Sequence, residues 1–142
     1  MNAHLDLFMQ NNRQELIRVT GEAAAFLDSL SLPSDILYKS SLVLEEILTN
    51  IVKYAFVDSD VHDVAVHLRC QDDELVVQFV DDGQEFNPLS CPQPSMPDSV
   101  LDCQVGGLGI YLVRKSVDRI EYRRDQEKNI LTVGLKLEPA SS

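Results

Sequence analysis

The chain has 142 residues, with 12 basic and 23 acidic side chains and a net charge of −11. One domain of that size buries roughly two thirds of its unfolded surface, so it folds without staples. The acidity argues against direct nucleic-acid binding and against docking on an anionic membrane, both of which use Lys and Arg. No apolar run of about 18 residues suggests a membrane span. The first residues, Met1 to Asp6, lack the basic and apolar parts of a secretory signal.

In chain order, His4 to Met9 gives a weak signal for a short edge strand. Leu16, Val19, Ala23, Phe26, Leu27 and Leu30 recur at three- and four-residue steps, which predicts an amphipathic helix from Asn12 to Leu30. Leu32-Pro33-Ser34-Asp35 breaks it, and Ser34 or Asp35 can cap a second helix running to about Phe56. Its expected core stripe is Leu37, Leu44, Leu48, Ile51 and Ala55.

Val64 to Leu68 and Leu75 to Val80 read as two strands, with a hairpin turn at Gln71 to Glu74. Periodicity dissolves from Asn87 to Val105, where four prolines fall (Pro88, Pro92, Pro94 and Pro97). Loops of that length inside a domain are usually functional or disordered. A third helix is expected from Ile110 to about Val117, opened by Gly106-Gly107-Leu108-Gly109. Arg119 to Arg124 and Ile130 to Leu137 are the last strands, turning near Gln126 to Asn129. The order predicts an α+β class, with helices layered on one face of a mainly antiparallel sheet.

Cys70, Cys91 and Cys103 are odd in number and form no C-x-x-C pair. Reduced thiols in a cytoplasmic protein are expected rather than a disulfide framework or a zinc site. His4, His62 and His67 show no triad spacing. Six of the basic residues fall between Arg114 and Lys128 among four acids. That segment reads either as a solvated surface or as a docking patch.

Three signals carry chemistry. Glu46 and Asn50 lie one helical turn apart, with Lys53 near the same face. They line the solvent side or form a magnesium–phosphate site, since magnesium accepts one amide oxygen alongside waters and substrate phosphates. Asp81-Asp82-Gly83 follows a strand, either as a turn or as an acid placed to accept a hydrogen bond from a ligand. The glycines at 106, 107 and 109 are a flexible helix entry, or let phosphate approach free N–H groups. Neither a P-loop nor a dinucleotide-binding fingerprint is present.

In this order the signals resemble the Bergerat-fold ATPases, the superfamily of gyrase and histidine kinases. Within it the chain resembles the small bacterial anti-sigma-factor serine kinases, from about Leu16 to Leu137. Leu44 to Ala55 is similar to the asparagine box, Val80 to Pro88 to the first glycine box and Val105 to Val113 to the second. The resemblance implies a two-layer α/β sandwich binding ATP and Mg2+. It gives Glu46 as the general base, Asn50 as the magnesium ligand and Asp81 as the acceptor for the adenine amino group.

Gly83 and Phe86 fall in the first glycine box. Gly106, Gly107, Leu108, Gly109 and Ile110 fall in the second, which wraps the phosphates. By the same resemblance Thr132 matches a threonine that often helps hold adenine through water, Lys53 is expected to assist near the phosphates, and Asn87 to Val105 resembles the ATP lid. Two residues depart from the pattern. Tyr54 stands where histidine is common, and Glu85 replaces the usual second glycine.

The implied activity is phosphorylation of a serine on a small anti-sigma-antagonist protein of the STAS type. The implied partner is a sigma factor or an equivalent regulator, and the implied assembly of the kinase is a homodimer. The alternative is a module that switches partners on binding nucleotide without catalysis.

Overall fold

The computed structural model describes residues 2–56, 60–90 and 107–137. Five strands and three longer helices follow the order β1 (Asn2–Gln10), α1 (Arg13–Asp28), α2 (Ser34–Asn50), β2 (Asp63–Gln71), β3 (Glu74–Asp81), α3 (Gly107–Ser116), β4 (Arg119–Asp125) and β5 (Lys128–Lys136). The strands form one sheet, β1-β2-β3-β5-β4, and every adjacent pair is antiparallel. The α+β expectation holds.

Alternation along the strands makes the sheet two-faced. Val64, Val66 and Leu68 of β2, Leu75, Val77 and Phe79 of β3, and Leu131, Val133 and Leu135 of β5 are buried. They join Val19, Ala23 and Leu27 of α1, Val43, Leu44, Ile47 and Leu48 of α2, and Ile110 and Val113 of α3 in one core. The helices therefore cover one face. The other face carries Gln78 and Thr132, joined by a 3.1 Å hydrogen bond.

β1 is longer than its sequence signal. It pairs with β2 along its whole length, with Leu7 and Met9 buried and Phe8 turned outward. Helix α1 starts at an Asn12 cap, whose Oδ1 accepts from the Glu15 N–H at 2.8 Å. Helix α2 is capped by Pro33 without a side-chain bond, so neither Ser34 nor Asp35 is the cap. Its buried stripe is Ile36, Ser40, Val43, Leu44, Ile47, Leu48 and Asn50, while Leu37 is half-buried.

The expected continuation of α2 to Phe56 is a π-helical turn, Ile51–Ala55. Such turns are frequent at functional sites. A short 3₁₀ turn follows at Pro88–Ser90. The β4–β5 hairpin turns on Gln126 and Glu127, both at positive φ (50° and 65°), so its loop has two residues and Lys128 already belongs to the strand.

Cys70 is a free, buried thiol. Cys91, Cys103, Gly106 and most of the expected lid lie outside the described residues. No described helix is long and apolar enough to cross a membrane.

Candidate functional site

The end of α2, its π turn, the ends of β3 and β4, and the starts of β5 and α3 surround an open cavity of about 270 Å³. Its apolar lining includes Ile47, Ile51, Phe79, Ile110 and Leu131. Its polar lining includes Asn50, Asp81, Gln84, Glu85, Tyr122 and Asn129. Neither Lys nor Arg lines it among the described residues.

Asp81 is the last residue of β3, and its inward position leaves it 5% exposed. Its Oδ1 accepts from the Gly83 N–H at 2.9 Å and from Asn129 Nδ2 at 3.0 Å. No hydrogen bond among the described residues engages Oδ2. Burial pushes the Asp81 carboxyl above its ordinary range, and the bonds from Asn129 and Gly83 pull it back.

Asn50 is 9% exposed and lines the cavity, and its Nδ2 is buried without a hydrogen-bond partner. An orphaned buried amide is costly, and a ligand is one way to satisfy it. Amide nitrogen and oxygen exchange by a flip of the group, so Asn50 presents either a donor or an acceptor to a ligand. One turn earlier, half-buried Glu46 packs against the first turn of α3. A Cβ on Gly109 would overlap Glu46 Oε1, so only glycine leaves room for this carboxylate. Gly107 starts that helix.

Gly83 is fixed in the same way. A Cβ there would overlap the Ala55 carbonyl oxygen and come within 2.7 Å of Ala55 Cβ. This close approach seats the β3 end against the π turn. Gln84 fastens it, donating from its backbone N–H to Ala55 O at 2.8 Å and from Nε2 to Tyr54 O at 2.9 Å. Two carbonyls at the end of the helix are thereby satisfied.

The structure thus gathers Asn50, Asp81, Phe86 and Ile110 at the cavity, with Glu46, Gly83 and Gly109 packed around it. Tyr54 and Glu85, the two departures, also line it. Two of the expected site residues lie away from the cavity lining. Lys53 is exposed and is not part of the lining, because the wider π turn carries it off the Glu46–Asn50 face. Thr132 lies on the opposite face of the sheet, where it accepts from Gln78 Nε2.

The inward β5 positions at the cavity are Asn129 and Leu131. Asn129 is not legible as a site residue in the sequence, because Gln126 to Asn129 read together as the turn before the strand. With Lys128 as the first strand residue, Asn129, Leu131, Val133 and Leu135 form one alternating series, and a polar residue heading a buried series is a site signal. Tyr122 and Arg124, on the inward side of β4, were missed with it. Tyr122 donates from its hydroxyl to Asn129 Oδ1 at 2.6 Å. Arg124 donates to Gly83 O at 2.8 Å and to Asn129 Oδ1 at 3.1 Å.

Comparison with known proteins agrees with this fold. The sequence profile of the family described as Histidine kinase-like ATPase domain matches residues 9–135. Serine/threonine-protein kinase BtrW of Bordetella bronchiseptica is 31% identical over 103 residues, 71% of each chain. Serine-protein kinase RsbW of Listeria monocytogenes is 27% identical over 94 residues, spanning 63% of this chain and 60% of that one. Histidine kinase AdeS of Acinetobacter baumannii shares the fold. Its TM-score is 0.51 at 11% identity, over 95% of this chain and 68% of that one. The chain belongs to the histidine kinase-like ATPase domain family and, within it, is similar to serine-protein kinases of the BtrW and RsbW type.

Proposed function

We propose that this domain binds ATP with Mg2+ and transfers the γ-phosphoryl group to a serine of a STAS-type anti-sigma-antagonist protein. By doing so it controls sequestration of a sigma factor or an equivalent regulator. The observation that carries the reading is the cavity itself. An apolar slot holds a buried carboxylate with one uncommitted oxygen, and beside it lie an orphaned amide and a carboxylate at a helix start.

The chemistry follows from these groups. Asp81 Oδ2 accepts a hydrogen bond from the adenine amino group, while Phe79, Ile110 and Leu131 supply apolar surface for the base. A triphosphate meets no Lys or Arg among the described lining residues. Its charge is therefore balanced by a cation, for which Asn50 is the protein ligand, and by the N-terminal amides of α3. Magnesium supplies charge neutralisation of the phosphates when bound.

Glu46 accepts the proton of the substrate serine. The serine Oγ forms a bond to the γ-phosphorus, the bond to the β–γ bridging oxygen breaks, and ADP leaves. Similarity to kinases named for serine or serine/threonine supports the choice of acceptor.

The test is Glu46→Gln, assayed by calorimetric MgATP titration and by radiolabel transfer to a purified STAS-domain protein from the same organism. ATP affinity is expected within about threefold of wild type, with transfer falling by about 100-fold or more. Undiminished transfer would remove Glu46 from the role of base. A wild-type protein that binds no ATP would sink the whole reading.

Glu85, an anion lining the cavity where the family has glycine, supports a second reading as a non-catalytic switch module. ATP-dependent partner capture without phosphoserine by mass spectrometry would select it.

A further inference from the structure

Asn129 binds more groups than any other polar side chain at the site. Its Nδ2 donates to Asp81 Oδ1 at 3.0 Å and to Gln84 O at 2.9 Å. Its Oδ1 accepts from Tyr122 OH at 2.6 Å, Arg124 Nη1 at 3.1 Å and Phe86 N at 3.3 Å. The residue is 6% exposed, and β-sheet register sets it directly opposite Asp81.

The three donors fix the amide's orientation. With Tyr122, Arg124 and Phe86 all pointing at one atom, that atom must be the oxygen, so the nitrogen must face Asp81. The nitrogen then occupies one carboxylate oxygen and leaves the other to the cavity. The same amide ties Asp81 to Gln84 and Phe86, the segment that leads from β3 along the cavity wall, and Gln84 in turn holds the π turn.

We propose that Asn129 is the positioning residue of the nucleotide-base subsite. It keeps Asp81 a one-sided acceptor aimed into the cavity, and locks the Gln84–Phe86 segment to it. The inference rests on the nucleotide reading above and adds to it the group that sets base selectivity. A base offering an amino group to Asp81 is accepted, and one offering a carbonyl there is rejected, because an ionised carboxylate presents only acceptors and the Asn129 Nδ2 donor favours that ionised form.

Asn129→Asp is the discriminating variant. It keeps the side chain's size and the acceptor for Tyr122 and Arg124, but replaces the donor facing Asp81 with a second carboxylate. Two facing carboxylates share a proton at raised pH. MgATP and MgGTP affinities are measured by calorimetry from pH 8 to pH 5.5, with the wild-type profile divided out.

The expected result is an ATP affinity at least about tenfold weaker at pH 8, recovering as the pH falls and the shared proton restores a donor to Asp81. A role in packing alone gives no such recovery. Tyr122→Phe, which removes one donor to Asn129 Oδ1, is expected to narrow the ATP over GTP preference by about threefold or more with the fold intact. It supplies the readout if Asn129→Asp does not fold.

An Asn129→Asp protein with wild-type affinity and pH profile would overturn the inference while leaving the nucleotide site standing, as would an unchanged ATP over GTP preference in Tyr122→Phe. Failure of the wild type itself to bind ATP would overturn both.

Discussion

Gly83→Ala tests how the site is seated. The added methyl would overlap Ala55 O and stand 2.7 Å from Ala55 Cβ and 2.8 Å from the Ala55 carbonyl carbon. All three atoms belong to backbone or to a Cβ, so no flexible side-chain end can move aside. Overpacking of this kind costs about 1–3 kcal/mol. Relief by moving Ala55 would also strain the 2.8 Å bond from Gln84 N–H to Ala55 O, adding about 0.5–1.5 kcal/mol.

The sum is a destabilisation of about 1.5–4.5 kcal/mol, which for a domain of this length lowers Tm by roughly 5–15 °C. Urea titration with the slope m checked against wild type measures it. Gly21→Ala is the internal control. Gly21 is exposed inside α1 with nothing within 4 Å of a new Cβ, so it is expected to stabilise by about 0.5–1 kcal/mol. Gly83→Ala with wild-type stability and ATP affinity would refute the contact between the β3 end and the π turn as the element that seats the cavity.

Gly109→Ala should separate fold from chemistry. Its Cβ meets the end of the Glu46 side chain, which can rotate away, so stability is expected within about 1 kcal/mol of wild type. Phosphoryl transfer should fall by about 100-fold through displacement of Glu46, as single-turnover assays would read.

Asp81→Asn keeps an acceptor for Gly83 and Asn129 and removes a buried charge. The folded-state pKa of Asp81 is raised, so its ionised form opposes folding above that pKa. The apoprotein variant is therefore expected to be more stable than wild type at neutral pH, with the gain shrinking as pH falls through that pKa. It should also lose ATP binding, by calorimetry.

Glu15 bonds Arg18 and the Gln10 N–H, which lowers its carboxyl from 4.5 to about 2. A depressed acid stabilises above its unfolded pKa and loses that contribution as pH falls towards the folded one. Thermal melts should show the gap between wild type and Glu15→Gln closing from pH 5 to pH 2.5.

The sequence by itself determined the layers and the chemistry-bearing residues that local spacing controls. Three- and four-residue apolar steps specify α1 and α2, and alternation specifies β2, β3 and β5, because burial of one face follows directly from backbone periodicity. Glu46 and Asn50 were legible because one helical turn separates them. Asp81, Gly83 and Gly109 were legible through their resemblance to family motifs.

Tertiary structure decided what depends on register and on contacts distant in sequence. A two-residue turn at Gln126 and Glu127 sets β5 so that Asn129, not Thr132, faces the helices. A shift of one residue would exchange the two faces. The π turn, which periodicity does not announce, removes Lys53 from the cavity and brings Ala55 against Gly83. Pairing along β2 makes a nine-residue strand of β1, whose own pattern is blurred by the outward Phe8. The bond from Asn129 to Asp81 spans 48 positions. Only the folded sheet places the amide beside the carboxylate, because strand pairing sets which side chains meet, and local sequence sets only which strands form.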